Sequence, residues 1–150
     1  MVVCEEARLP TLILILLSFS AVLSTGCISP PSDTDVSGTA WELVSYRNET
    51  GMQNVIVGTS ITAIFGEDGS LSGSAGCNHY SGSYAALEHA FTVSEIAWTE
   101  MYCLTPEGAM RQETEYLAAL QSAAQFDVSS QELMMAGEDG TVLLLFDAQK

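Results

Sequence analysis

The sequence predicts a mainly β (α+β) domain, a small antiparallel β-sheet or barrel with one packed amphipathic helix. Three observations carry that expectation. Short β-like runs separated by Gly-rich turns fill most of the chain from Gly38 onward. Two of those turns hold an Asp-Gly pair at the tip, Asp68-Gly69 and Asp139-Gly140, a strong hairpin signal between β-like runs. A single segment, Thr105 to Gln125, breaks the pattern with helical spacing.

Taken in order, "TAWELVSY" puts Trp41, Leu43 and Ser45 on one face and Glu42, Val44 and Tyr46 on the other. In "SITAIFG" Ile61, Ala63 and Phe65 face one way, and "GEDGS" (66–70) turns the chain back into "SLSGSAG". "SGSYAALE" and "FTVSEIAWT" continue the sheet, and "ELMMAGEDGTVLLLF" forms a second hairpin. Most of these runs carry apolar residues on both faces, so the pairing register stays open. The helical segment starts with Thr105 as N-cap, Pro106 at N1 and Glu107 in the first turn. Met110, Leu117, Leu120 and Ala124 form its apolar stripe, Glu113 interrupts it and Tyr116 lies beside it. Arg111, Glu115 and Ser122 occupy another face. About five turns of helix result, and core packing is their expected role.

Ahead of the domain, the apolar run Leu12–Leu23 is short for a membrane span and suits the core of a secretory signal. It ends in "LSTGC", which resembles a prokaryotic lipoprotein signal in which Cys27 becomes the first, lipidated residue. Ser24 stands where such signals place an aliphatic residue, with Leu23 one position back. An ordinary secretory signal or an uncleaved anchor is the alternative. "ISPPSDTDVSG" then reads as a flexible tether. The expected layout is a signal at 1–26, a tether at 27–37 and a folded domain at 38–150, placed outside the cytoplasm in the cell envelope.

Four Lys and Arg stand against nineteen Asp and Glu, a net charge of -15. Without residues 1–26, three basic and seventeen acidic residues remain, a net of -14. Such a surface repels phosphate, which argues against nucleic acid and against polybasic contact with anionic lipid. The carboxylates are scattered, as solubility alone requires.

Of the four cysteines, Cys4 leaves with the signal and Cys27 takes lipid. Cys77 and Cys103 remain as an even pair in an oxidising compartment, which argues a disulfide. In the chain-entropy account that bridge is worth roughly 3–4 kcal/mol. Two other readings attach to Cys77. A nucleophilic Cys needs a base or electropositive surroundings, and only His79 and His89 are available in an acidic domain. A zinc site from Cys77, His79, Cys103 and His89 has the ligand count but not the usual paired spacing. Asn48-Glu49-Thr50 is a formal N-glycosylation sequon.

"ITAIFGEDGSLSGSAGCNHYSGSY", "TEMYCLTPEGAMRQETEYLAAL" and "ELMMAGEDGTVLLLF" together resemble the META domain of HslJ-like proteins, from about Gly38 to Phe146. The landmarks are Trp41, the Gly-Cys-Asn-x-Tyr segment, Thr99-x-Met101-x-Cys103, and Glu113-Thr114 followed by Tyr116-Leu117. That resemblance implies a small antiparallel β structure carrying a helix, a role in envelope stress or drug tolerance, and no catalytic residue. The expected function is therefore a membrane-tethered, non-catalytic lipoprotein without a cofactor, binding an envelope protein or small ligand. The alternative is an enzyme or metal protein using Cys77, His79 and Cys103. Cys27→Ser is expected to leave an unprocessed precursor or release the protein from membranes, read by fractionation and N-terminal sequencing. Unchanged processing, with the mature N-terminus elsewhere, contradicts the lipid anchor.

Overall fold

The computed structural model describes residues 35–149; the signal, Cys27 and most of the tether lie outside them. Nine strands and one helix follow in order: β1 (Ala40–Asn48), β2 (Gly51–Asn54), β3 (Thr62–Phe65), β4 (Ser70–Ser74), β5 (His79–Leu87), β6 (Ala90–Trp98), α1 (Ala109–Ser122), β7 (Gln125–Ser129), β8 (Glu132–Ala136) and β9 (Val142–Ala148). Every pairing is antiparallel, and β1–β9 pairing closes the ring. The domain is thus mostly β with one helix, as expected. Among the described residues no helix is long and apolar enough to cross a membrane.

Strand β1 organises the closure. Its first half pairs with β3 (Trp41 opposite Ala63), its second half with β2 (Arg47 opposite Met52), and its other edge with β9. The register against β9 shifts between Leu43 and Ser45, a bulge at Val44. This bulge corrects the alternation read from the sequence. Val44 faces outward with Glu42 as the alternation has it, but Tyr46 swings to the inside and is buried beside Ser45. The weakest seam is β6–β7, where one pair, Ala90 and Gln125, is flanked by hydrogen bonds from Phe91 N–H to Ala124 and from Phe126 N–H to His89.

The two expected hairpin turns are near copies. In Gly66–Ser70 and Gly137–Thr141 the first glycine N–H donates to the fifth residue's carbonyl (2.8 and 3.0 Å). The aspartate accepts from the backbone N–H two residues on, at 3.0 Å in the first turn and 2.9 Å in the second. Gly69 and Gly140 have φ of 81° and 79°, a conformation other residues reach only with strain. Hydrogen bonding from the Ser70 side chain and N–H holds Asp68 below the usual carboxylate range, and the Thr141 N–H and hydroxyl do the same for Asp139.

Inward residues fill the barrel: Leu71, Phe91, Leu133, Met135, Leu144 and Phe146 are almost wholly buried. Phe65 packs edge-on against Tyr84 and Phe91, and Phe91 against Phe126, so aromatic rings bridge the β3–β4 side to β7. Val36 is buried as well, and the Trp41 indole donates to its carbonyl at 3.0 Å. Packing among the described residues therefore includes Val36, two residues ahead of Gly38.

The helix differs from expectation at both its start and its face. Thr105 and Pro106 precede it, joined by a cis peptide bond, and Gly108 is the N-cap with φ of 87°. That left-handed residue cannot belong to the helix, so α1 begins at Ala109. The buried face is Ala109, Gln112, Glu113, Tyr116, Leu117, Ala119 and Leu120. Spacing of three and four is kept, but two polar residues sit in the stripe, and Met110 is only half-buried.

Gly73 marks the closest approach in the sheet. A Cβ there would overlap the Thr62 carbonyl oxygen and come within 2.9 Å of the Tyr80 hydroxyl. Gly73→Ala is expected to cost about 1–3 kcal/mol through overpacking, whereas Ser72→Ala, pointing outward, should stay within about 0.5 kcal/mol. Urea unfolding of the two variants checks this; equal midpoints contradict the crowding.

Candidate functional site

The motif residues converge where the β4–β5 connection, the loop after β6 and the first turns of α1 meet. Gly76 (φ 106°) turns the chain above Gln112 and Ile61. Cys77 is then bonded to Cys103 across a Cα separation of 6.0 Å. The next residue, Asn78, is 1% exposed and uses its whole side-chain capacity. Its Oδ1 accepts from the Thr99 hydroxyl and from Met101 N–H, both at 2.7 Å. Its Nδ2 donates to Glu113 Oε1 at 2.7 Å and to the Met101 carbonyl at 3.1 Å. Its backbone N–H donates to the other Glu113 oxygen, also at 2.7 Å.

Gln112, one residue before Glu113, works on the opposite side. Its Oε1 accepts from Ile56 N–H at 2.6 Å and its Nε2 donates to the Thr59 hydroxyl at 2.8 Å. Adjacent helix residues therefore clamp two different loops. One turn further, the Tyr116 hydroxyl lies 2.7 Å from that of Tyr80, which donates to the Thr62 carbonyl at 2.9 Å. Among the described residues no buried side-chain nitrogen or oxygen lacks a partner. Partnering at this level is what makes a buried polar cluster stabilising rather than costly.

Residues 34–150 match the META domain. The chain belongs to the META domain family. Among solved structures, this META domain is similar to a protein from Burkholderia xenovorans determined by NMR. The two are 28% identical, with a TM-score of 0.63 over 76% of this chain and 83% of the other. It is also similar to a DUF4847 family protein from Bacteroides vulgatus, 16% identical with a TM-score of 0.54 over 76% and 94% of the two chains; there the likeness is one of fold. No curated protein matches the chain.

Of the META landmarks, Asn78, Tyr80, Glu113 and Tyr116 thus form the buried polar cluster, while Trp41 and Leu117 lie in the apolar core. Cys77 and Cys103 form the expected disulfide. The alternative use of these cysteines is not assembled, because each sulfur is bonded to the other and neither is free as nucleophile or ligand. His79 is exposed and begins β5, while His89 sits past its other end, beside Asp127 at 3.9 Å. Strand β5 lies between the two residues, and its eight steps from His79 to Leu87 span about 26 Å. Among the described residues no group of three or more His, Cys, Asp or Glu is placed to hold a metal. Asn48 of the sequon bends its own turn, with Oδ1 accepting from Thr50 N–H and hydroxyl (2.9 and 2.8 Å) and Nδ2 donating to Glu115 at 3.3 Å.

Sequence reading did not assign Asn78, Gln112 or Glu113 to this cluster. Their signal was available: a Gln-Glu pair falls inside the helix's buried stripe, and such a pair needs partners from elsewhere. A second feature lies on the outside of the same loop. Met101, Tyr102 and Leu104 project into solvent although Asn78 and the disulfide hold their backbone. Elsewhere, a cleft of about 510 Å³ runs between α1 and the β1–β2 hairpin, bordered by Arg47, Asn48, Glu115 and Ser122. Two of its polar groups are already engaged, Arg47 with the Val142 carbonyl and Asn48 with Glu115.

Burial raises both tyrosines of the cluster above the ordinary value of 10.0. The unfolded chain gives up these protons near pH 10 while the folded chain keeps them. Their contribution to stability is therefore complete below pH 10 and is lost as pH rises beyond it. Each tyrosine should steepen the loss by about 1.4 kcal/mol per pH unit there. Urea midpoints between pH 8 and 11 should fall less steeply for Tyr80→Phe than for the parent; identical slopes contradict the assignment.

Proposed function

We propose that the protein is a membrane-tethered envelope lipoprotein whose META domain acts as a non-catalytic binding or protective module in stress or drug tolerance. The observation that carries this reading is the direction in which the motif faces. Its polar side chains, Asn78, Glu113, Tyr80 and Tyr116, turn inward and occupy one another, and its two sulfurs are joined. Groups so engaged are positioned to hold a loop, whereas general acid–base or nucleophilic chemistry needs a group free to meet substrate. Outward, the same loop offers apolar side chains, the usual material of a contact surface. The signal-like run, "STGC" and the Ser/Pro/Asp tether support attachment through lipid on Cys27.

In the host, deletion is expected to cause sensitivity to heat or to envelope-active drugs. Complementation should survive His79→Ala and fail for Tyr102→Ser/Leu104→Ser with an unchanged thermal melt. Cys77→Ala should weaken it through lost stability. His79→Ala that folds normally yet fails to complement would overturn the module reading in favour of chemistry at this loop.

A further inference from the structure

Seven consecutive residues, Trp98 to Leu104, place four large side chains in water. Trp98 is 49% exposed, Met101 52%, Tyr102 77% and Leu104 79%. Val57, 94% exposed, stands on the adjoining β2–β3 loop. The two loops touch: a Cβ on Gly58 would lie 3.9 Å from Pro106, and one on Gly108 would lie 3.2 Å from Ile56.

A mobile loop could fold such side chains against itself, but this one is held open. Cys103 is tied to Cys77, its N–H donates to the Met110 sulfur at 3.3 Å, and Thr99 and Met101 are bound to Asn78. The apolar groups are therefore pre-organised, and a ligand meeting them loses little loop entropy. Their exposed area is on the order of 500 Å² when aromatic side chains count for about 150–250 Å² each. Patches of about 300–600 Å² on monomers are often functional. Standard protein–protein interfaces take about 800 Å² from each partner. The size suits a peptide better than a second copy or a large protein.

Charge sets the peptide's sign. Glu100 lies within the patch and Glu107 three residues beyond it, both exposed. Residues 35–149 hold sixteen Asp and Glu against two Arg. Of those two, Arg111 comes near the loop, its guanidinium 3.8 Å from the position of a Cβ on Gly108. Exposed His79 adjoins Asn78 at the base of the loop. A domain charged in this way repels both its own copies and an anionic bilayer. We infer that the Trp98–Leu104 loop is a docking surface for a cationic amphipathic peptide. The peptide's apolar stripe covers Tyr102 and Leu104, and its Lys or Arg side chains reach Glu100 and Glu107. This assignment rests on the binding-module reading and names the module's ligand.

The test uses the full chain in phosphatidylcholine vesicles, with empty vesicles subtracted, and a tryptophan-free Leu/Lys helical peptide of about four turns. Trp98 reports binding, since the chain's other tryptophan, Trp41, is buried. A saturable blue shift is expected with the Leu/Lys peptide and none with Leu/Glu or Ser/Lys peptides of equal length. Tyr102→Ser/Leu104→Ser should weaken binding about tenfold or more. Glu100→Gln/Glu107→Gln should weaken it several-fold and flatten its dependence on salt. Equal binding by the Ser/Lys peptide or by the patch variant would reduce the effect to diffuse charge attraction and overturn the assignment. Trp98 shielded from acrylamide before any peptide is added would make the bilayer the occupant and overturn it too. Sedimentation of the chain as a dimer that the patch variant abolishes would likewise hand the surface to a second copy. Absence of peptide binding, with complementation still lost in the folded patch variant, overturns the peptide and leaves the module reading standing.

Discussion

Asn78 offers two donors to the carboxylate of Glu113, one from its side chain and one from its backbone, each at 2.7 Å and beneath a surface that water does not reach. Removing either partner would strand a buried polar group, at a cost of about 1–3 kcal/mol or more. That penalty fixes the helix in rotation and along its axis, because Glu113 has this one docking position. Helix and strand then run on from this point together. Three residues of helix carry the chain from Glu113 to Tyr116, a rise of about 4.5 Å. Two residues of strand carry it from Asn78 to Tyr80, about 6.6 Å. Tyr116 and Tyr80 are thereby carried to the same side, where their hydroxyls meet at 2.7 Å. Gln112, on the neighbouring helical position, fastens the β2–β3 loop from the other side.

The ring of strands needs this help because its β6–β7 seam carries one residue pair. The chain between those strands, Thr99 to Ala124, contains the loop and the helix, so any slack in either would open the barrel at its thinnest place. The disulfide limits that slack covalently, and the Asn78 cluster limits it by hydrogen bonding. Both constraints act on the same loop, which is why its outer side chains keep one arrangement in water. Asn78, Tyr80, Glu113 and Tyr116 therefore turn inward beneath the loop, while Met101, Tyr102 and Leu104 turn outward from it.

Turns and the disulfide were legible because they depend on a few neighbouring residues or on compartment. Asp68-Gly69 and Asp139-Gly140 specify hairpin tips through glycine's access to positive φ. The pairing of Cys77 with Cys103 followed from the even count that remains once Cys4 and Cys27 are assigned to the expected signal and anchor. The Val44 bulge was hidden, because alternation assumes an unbroken strand and a bulge arises from pairing with β9. The helix start was misplaced by a strong local signal, Thr105-Pro106, which is followed by a glycine outside helical φ/ψ. Strand β2 holds one large apolar side chain, Met52, and so shows no alternation, while β7 starts at Gln125, where the expected helical segment ends.

By itself the sequence determined the class of fold, the position of its two sharp turns, the identity of its covalent staple and the family to which it belongs. Each of these depends on residues close in the chain, on composition, or on a pattern shared as a whole. Tertiary structure alone decided what Asn78, Gln112 and Glu113 do. A polar residue in a buried stripe reads as an interruption until its partner is known, and here the partners lie 35 and 56 residues away along the chain. It also decided that Met101, Tyr102 and Leu104 face water. Local hydrophobicity argues for their burial, and only the anchoring of their backbone from beneath holds them outside.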